Sequence, residues 1–507
     1  MKKFASLLLA GLLGLSVLTG CGGSTEPTGD LNIRVFSGGY GHEWVQRLEK
    51  GYEAKYGIEV EVYPTVQRNQ IQSDMIVENP ADQKYDLYFS DYTRVFTEAK
   101  EGYFADITDV YEYTNEGESQ PIQKKLHPYI VDKYEENGRY YYISGGISFY
   151  GFTYNKLILD DYYIPRTTGE MLELCEDLKA DGIKAFVFGN DTNYWDEIFL
   201  NWWAQYSGKD KFEMFFHGKT SASGLVTKDI FNDIGRLRAY EVIEQMLSYD
   251  NAYIDLNSTG YDYIQAQRQY LLGGAAMMVN GSWLENEMRL QFPNGHPDAE
   301  LDFMDMPVIS SIVEKLPSLD ALSAEEKEAR LRETITYIDN GRTGTKPSVI
   351  SDDDINAVAE ARTLQSLSSS NFTGAIPGNA KHIDEAKRFL EYMYSDEGIA
   401  LFTSDTGAQL PLAEPEYDAD WLAEQKPLVR TALVKLPQKD WFFQDFTDLV
   451  VAGLTPRHST VTLESYFGAQ NPNDRKTAYE VYQDDIKYYS DNNGAAWNLL
   501  LSNAGIR

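Results

Sequence analysis

One stretch constrains the fold more than any other: LNIRVFSGGYGHEWVQRLEKGYEAKYGIEVEVYP, residues 31–64. Leu31, Ile33 and Val35 alternate with polar residues, the period of a half-buried strand. Gly38, Gly39 and Gly41 break the strand. Val45, Leu48 and Tyr52 then recur at helical spacing, Gly57 ends the helix, and Ile58, Val60 and Val62 resume the alternation. Strand, helix and strand in that order require a parallel pair with the helix on one sheet face, which sets an α/β layer.

The pattern repeats down the chain. YDLYFSDYTRVF supplies a third strand, Tyr85 to Phe89, with a polar turn at Ser90-Asp91. AKEGYFADITDVY reads as the loop that closes this first unit. GRYYYISGGISFYGFTYNK is strand-like and interrupted by Gly145 and Gly146, and TTGEMLELCEDLKADGIKAFVFG reads as helix then strand. YWDEIFLNWWAQYSG is an aromatic helix. YLLGGAAMMVNGSWLENEM gives a strand, a turn at Asn280-Gly281 and the start of a helix. Residues 311–370 are more polar, with capping-box patterns at Ser323/Glu326 and Ser351/Asp354. A clean amphipathic helix runs through Ala386, Phe389, Leu390 and Met393, and Ser395 caps the next. At 507 residues the chain has room for two or three domain-sized units, and a 43% hydrophobic share supports a large core.

Charge excludes some classes of partner. The formal net charge is −33. Nucleic-acid backbones need clustered Lys and Arg, and so does docking on an anionic bilayer through basic patches. The chain has only two cysteines, Cys21 and Cys175. Cys175 lies in MLELCEDLKADG, where Met171, Leu174 and Leu178 share a helical face, so it reads as a buried structural thiol. No CxxC, HExxH, GxSxG or P-loop pattern occurs, and the six histidines do not pair at ligand spacing. The three acids of SDDDIN lack the spacing of a calcium loop and suit a helix N-terminus instead. No cofactor or metal is expected. A carboxylate pair for glycoside hydrolysis is not singled out by any spacing among 78 acids.

The N-terminus has a separate logic. Lys2 and Lys3 precede an apolar run from Phe4 to Leu18, of secretory length and too short for a comfortable membrane span. Leu18-Thr19-Gly20-Cys21 resembles the lipobox of bacterial lipoproteins, which implies cleavage before Cys21 and lipid on it. Gly22 to Asp30 has the composition of a flexible tether. The expectation is a signal peptide over 1–20, lipidated Cys21 with a tether over 21–30, and a mature protein held at the extracytoplasmic face of the cell membrane.

Binding residues are expected at the carboxyl ends of strands, where open α/β sheets hold their ligands. Tyr40, His42, Glu43 and Trp44 follow the first strand, Asp91, Tyr92 and Arg94 the third, and Asn280-Gly281-Ser282-Trp283 the Met-rich one. Aromatics make up 13% of the chain, including 36 Tyr and 8 Trp. Rings suit the CH faces of a sugar, and Asp, Asn, Glu and Arg suit its hydroxyls. For Trp44 and Trp203 core packing is as good a reading as a platform.

Five segments in order resemble the extracellular solute-binding proteins, family 1, of ABC importers for sugars. They are IRVFSGGYGHEWVQRLEKGYEAKYGIEVEVY, YDLYFSDYTRVFTEAKEGYFADITDVY, FYGFTYNK, AAMMVNGSW and DEAKRFLEYMYSDEGIALFTSDTGAQLP. The resemblance covers most of residues 31–415. It implies a two-lobed periplasmic-binding-protein-like fold of type II, with a hinge and an interlobe cleft. On that pattern the N-terminal lobe takes 31–143 plus 304–377, and the C-terminal lobe 144–303 plus 378–507. The implied cleft residues are Tyr40, Glu43, Asp91, Tyr92, Tyr150, Trp195, Asp196 and Trp283. The implied activity is carbohydrate capture by hinge closure and delivery to permease subunits, by a monomer that makes and breaks no bond. Two readings stand beside it: a lipid-anchored carbohydrate-active enzyme, and a binding protein for a non-sugar solute. The sequence departs from the family pattern before FYGFTYNK, at Thr167-Thr168 and in the long charged stretch 311–370.

Overall fold

A computed structural model describes residues 29–77, 79–90, 99, 101–368, 372–443, 447–455 and 461–506. The signal-peptide segment, Cys21, Asp91, Tyr92 and Arg94 lie outside the described residues.

Two sheets organise the chain. The first is built from β1 (Leu31–Phe36), β2 (Val60–Thr65), β3 (Leu87–Ser90), β4 (Tyr142–Ile143) and, much later in sequence, β9 (Thr373–Ala375). Its order is β2-β1-β3-β9-β4. β1 runs parallel to β2 and β3, whereas β9 runs antiparallel to both β3 and β4. The second sheet has the order β10-β8-β5-β6, with β7 also paired to β5. Its strands are β5 (Ser148–Asn155), β6 (Met277–Gly281), β7 (Leu301–Phe303), β8 (Leu364–Ser368) and β10 (Asp440–Phe442).

The strand–helix–strand opening forms as its pattern predicts. The helix Glu43–Tyr56 buries Trp44, Val45, Leu48 and Tyr52, and Gly57 ends it at φ 70°, a conformation that glycine adopts without steric cost. β1 differs from the half-buried strand expected: all six of its residues are buried. A central parallel strand is covered on both faces, so Asn32 and Arg34 need partners inside. Asp86 Oδ2 accepts from the Asn32 amide N–H at 3.0 Å, and Asp74 pairs with Arg34 at 3.3 Å. Cys175 is fully buried, and burial pushes its thiol up, as a structural thiol requires. Trp44 and Trp203 are both core residues.

The allocation of segments to lobes corrects the expected boundaries. Residues 304–368 belong with the second sheet. β7 is already paired to β5, Thr167 bridges Val308, and Leu331, Ile335, Ile355 and Val358 join the core that holds Phe152, Trp195 and Trp202. Conversely, the helices Ile383–Met393 and Asp396–Thr406 pack on the first lobe, where Tyr392 and Phe389 meet Tyr52. These pairings join residues far apart in sequence, which no local pattern records. Ser323 makes a full capping box with Glu326. Ser351 caps through its hydroxyl, but Asp354 turns to the backbone N–H of Ser318 at 3.0 Å instead of reaching back.

The chain passes between the sheets at three places: between β4 and β5, between β8 and β9, and around Gln409, which bridges Ile147. The first two crossings touch backbone to backbone. A Cβ on Gly145 would stand 1.9 Å from the Phe372 carbonyl oxygen. In the second lobe, the segment Ala478–Asn503, two helices separated by a non-helical break at Asp491–Gly494, lies against the helix Ile234–Leu247, locked by the buried ion pair of Arg236 with Asp485. No helix among the described residues is long and apolar enough to cross a membrane.

Candidate functional site

Where the two lobes meet, the loop after β1 faces the loop after β6. Both loops leave carboxyl ends of strands, and glycines allow their close approach. Gly39, at φ 54°, faces Trp283, which a Cβ at that position would meet at 3.6 Å. Tyr40 is 3% exposed, and its Oη sits 2.7 Å from Ser282 Oγ. The same Ser282 Oγ accepts from the Phe149 backbone N–H at 3.2 Å. Glu43, at the start of the first helix, faces Arg289 at 3.9 Å. Burial pushes its carboxyl up, but backbone N–H groups of Glu43 and His42 and the nearby positive charge outweigh that and hold it low. Tyr40, Glu43 and Trp283 are therefore brought together, as lobe-to-lobe contacts.

An aromatic cluster lies beside them. Tyr150 and Trp283 meet edge to face at 5.1 Å, Tyr194 reaches Trp283 at 5.8 Å, and Tyr150 and Tyr194 are 5.8 Å apart. Trp283 is only 6% exposed, covered by its neighbours, so it packs within the cluster and is not the open platform expected. Tyr150 and Tyr194 keep accessible surface. Gln365 on β8 fixes the Tyr150 backbone by donating to its carbonyl at 2.7 Å.

Trp195 is a correction. Its ring is 1% exposed and packs on Phe186 at 5.3 Å and Phe152 at 5.7 Å, inside the second lobe. The helix Tyr194–Ser207 explains why. Trp195, Ile198, Phe199 and Trp202 fall at helical spacing and all are buried, which turns Tyr194 and Glu197 toward another side. That spacing was readable, and it points to Tyr194, the ring absent from the expected set.

Asp196, two residues after Tyr194 in the helix Tyr194–Ser207, stands in acidic company. Burial raises its carboxyl well above the usual range, and Glu464 and Glu197 push it further. Glu197 donates nothing and accepts from the Ser366 hydroxyl at 2.6 Å; burial lifts it to about 7. Glu464, on the short helix Leu463–Phe467, is completely buried and lifted by that burial to about 8. Among the described residues no group of His, Cys, Asp and Glu has the arrangement of a metal site. A groove of about 800 Å³, lined by Tyr417, Trp421 and residues of Asp396–Thr406, shares no residue with the aromatic cluster.

Comparison with known proteins agrees with this architecture. Residues 48–431 match the family described as bacterial extracellular solute-binding protein. No curated protein matched the sequence. Among solved structures, "SBP RafE in complex with raffinose" is 14% identical, covers 94% of this chain and 98% of its own, and superposes with a TM-score of 0.53. "Chitin oligosaccharide binding protein" is also 14% identical, covers 91% of this chain and 99% of its own, with a TM-score of 0.59. At such identity the likeness establishes the two-lobed fold, while the match over residues 48–431 establishes the family: this chain is a bacterial extracellular solute-binding protein.

Proposed function

We propose that this solute-binding protein captures a carbohydrate between its lobes by hinge closure and delivers it unaltered to the permease of an ABC importer. The observation that carries the reading is the cluster of Tyr150, Tyr194 and Trp283 next to the Tyr40–Ser282 contact between the loops of both lobes. Ring faces match the CH faces of a sugar, and a joint between lobes converts ligand contact into closure. The two structural relatives, whose descriptions concern raffinose and chitin oligosaccharide, support a sugar. On this reading Tyr150 and Tyr194 touch the solute, Tyr40 and Trp283 hold the closed geometry, and Asp91 and Tyr92 contribute from the first lobe. The segment ending in Cys21 supports a lipid anchor at the extracytoplasmic face of the membrane, with the protein working as a monomer.

Calorimetry against a panel of oligosaccharides tests the reading. Saturable one-to-one binding, lost in Tyr194→Ala and accompanied by a smaller radius of gyration, is expected. Failure of every saccharide, or release of reducing ends at enzymatic rates, overturns it. Mass spectrometry of the membrane fraction tests the anchor: Cys21→Ala should leave the protein unlipidated and free.

A further inference from the structure

Seven of the eight tryptophans are buried, and the eighth, Trp421, keeps accessible surface. It lies on the short helix Ala419–Glu424 and lines the groove of about 800 Å³ on the first lobe. Tyr417, four residues earlier, lines the same groove with a second ring, 6.3 Å from the first and tilted to it by 36°. It too is partly exposed. The segment that carries both rings is fixed. The Ala413 N–H donates to the Lys125 carbonyl at 2.8 Å, and the His127 N–H to the Pro411 carbonyl at 2.7 Å. Asp418 Oδ1 accepts from the Trp421 N–H at 2.8 Å and caps the helix. The Tyr417 hydroxyl donates to Gln409 Oε1, and Gln409 is 2% exposed at the third crossing, where its carbonyl accepts from the Ile147 N–H at 3.0 Å. The rings are therefore held before any ligand arrives, which reduces the ordering cost of binding.

The rest of the lining selects the kind of ligand. Gln120, Lys124, Glu414 and Glu416 line the groove and are exposed, so polar groups of both signs reach it. Lys125 is engaged by Glu118, Asp396 and the Tyr394 carbonyl, which leaves no pair of free cations for a phosphate. Ile399 and Leu412 are its only large aliphatic residues, too few to cover an acyl chain. Sugar hydroxyls both donate and accept, so they satisfy ammonium, amide and carboxylate side chains alike, while sugar CH faces lie against rings. We infer that this groove is a second carbohydrate-binding site, on the first lobe and apart from the Tyr40–Ser282 joint, with sugar rings against Trp421 and Tyr417. It rests on the carbohydrate reading for the class of ligand and goes beyond it by adding a place of binding that shares no residue with the aromatic cluster.

The test follows Trp421 directly. The protein is labelled with fluorotryptophan, and Trp421→Phe assigns the Trp421 fluorine resonance. Raffinose, maltotetraose, cellotetraose and the N-acetylated chitin tetramer are titrated to the limit of their solubility, with calorimetry in parallel. At least one probe should move the Trp421 resonance along a saturable curve, weaker than the one-to-one event at the joint. Trp421→Ala should weaken the matching calorimetric event tenfold or more and keep both the joint event and the unfolding midpoint. Tyr194→Ala should remove the joint event and leave the Trp421 curve in place. The inference is overturned if no probe moves the resonance, if the shift grows without saturating, or if Trp421→Ala keeps the weaker event. It is also overturned if Tyr194→Ala abolishes the shift, which would make it an echo of lobe closure. Saturation at Trp421 with no event sensitive to Tyr194→Ala leaves the groove standing and removes the interlobe reading. Binding at the joint with a silent Trp421 does the reverse, and failure of every saccharide removes both.

Discussion

Tyr40 Oη and Ser282 Oγ, 2.7 Å apart and separated by 242 residues of chain, form a hydrogen bond that runs directly from one lobe to the other. Ser282 also holds the Phe149 backbone, so the contact anchors the lobe-two loop to β5. Tyr40→Phe removes one neutral hydrogen bond and leaves the ring in place. Such a bond is worth about 0.5–1.5 kcal/mol, so the closed state should lose roughly two- to tenfold in population relative to the open one. Ligand affinity should fall by the same factor with little change in unfolding temperature. Calorimetry and small-angle scattering together check this, and an unchanged affinity would remove Tyr40 from the closing contacts.

Trp283 and Tyr194 should separate stability from binding. The Trp283 ring is buried, and truncating a buried Trp to Ala typically costs about 3–5 kcal/mol. Trp283→Ala should therefore lower the denaturation midpoint as well as binding. Tyr194 is partly exposed, so Tyr194→Ala should impair binding with a stability loss of about 1 kcal/mol or less. Urea titrations beside binding isotherms decide the matter, and the split fails if both variants lose stability equally.

Arg236 and Asp485 give a third test. The guanidinium is 0% exposed and ringed by Trp203, Phe215, Phe231, Tyr240 and Tyr482. Removing one partner of a buried pair leaves an uncompensated charge and costs about 3–5 kcal/mol, whereas replacing both with apolar groups is near neutral. Asp485→Ala should thus detach the helix that precedes the break at Asp491–Gly494, or destabilise the fold by that amount. The double variant Arg236→Met/Asp485→Leu should recover most of it. Hydrogen exchange along residues 478–503 reports which.

Glu464 sets a pH dependence. Its carboxyl is lifted by burial to about 8 in the fold, well above the ordinary value near 4.5. The folded state then binds more protons than the unfolded chain between those values, so stability falls with rising pH across that window. The contribution is fully present below about pH 4.5 and lost as pH passes 8. Glu464→Gln should raise the melting temperature at pH 8.5 by a few degrees and leave it nearly unchanged at pH 4.5. Equal effects at both pH values would show that Glu464 is already ionised in the fold.

Local pattern carried the secondary structure far. Leu31 to Val62 declared a parallel pair, and the spacing of Trp195, Ile198 and Trp202 already separates a buried helical face from the one bearing Tyr194 and Glu197. Trp195 entered the expected set through the family resemblance, which does not weigh that period. The lobe boundaries were beyond local reading. Whether residues 304–368 return to the first sheet or stay with the second depends on β7 and β8 pairing with β5, contacts over more than a hundred residues. Glu464 was invisible for the same reason, since both its burial and its effect on Asp196 depend on segments far away in the chain.

The near-touching of Gly145 and the Phe372 carbonyl has a mechanical meaning. The connection between β4 and β5 meets the start of β9 at this one point with no room for a side chain between them, so movement of either is felt by the other there. Any methyl group at position 145 would act as a shim between the two and bias the resting angle of the jaws. A substitution at this glycine would then act on the lobes through the backbone alone.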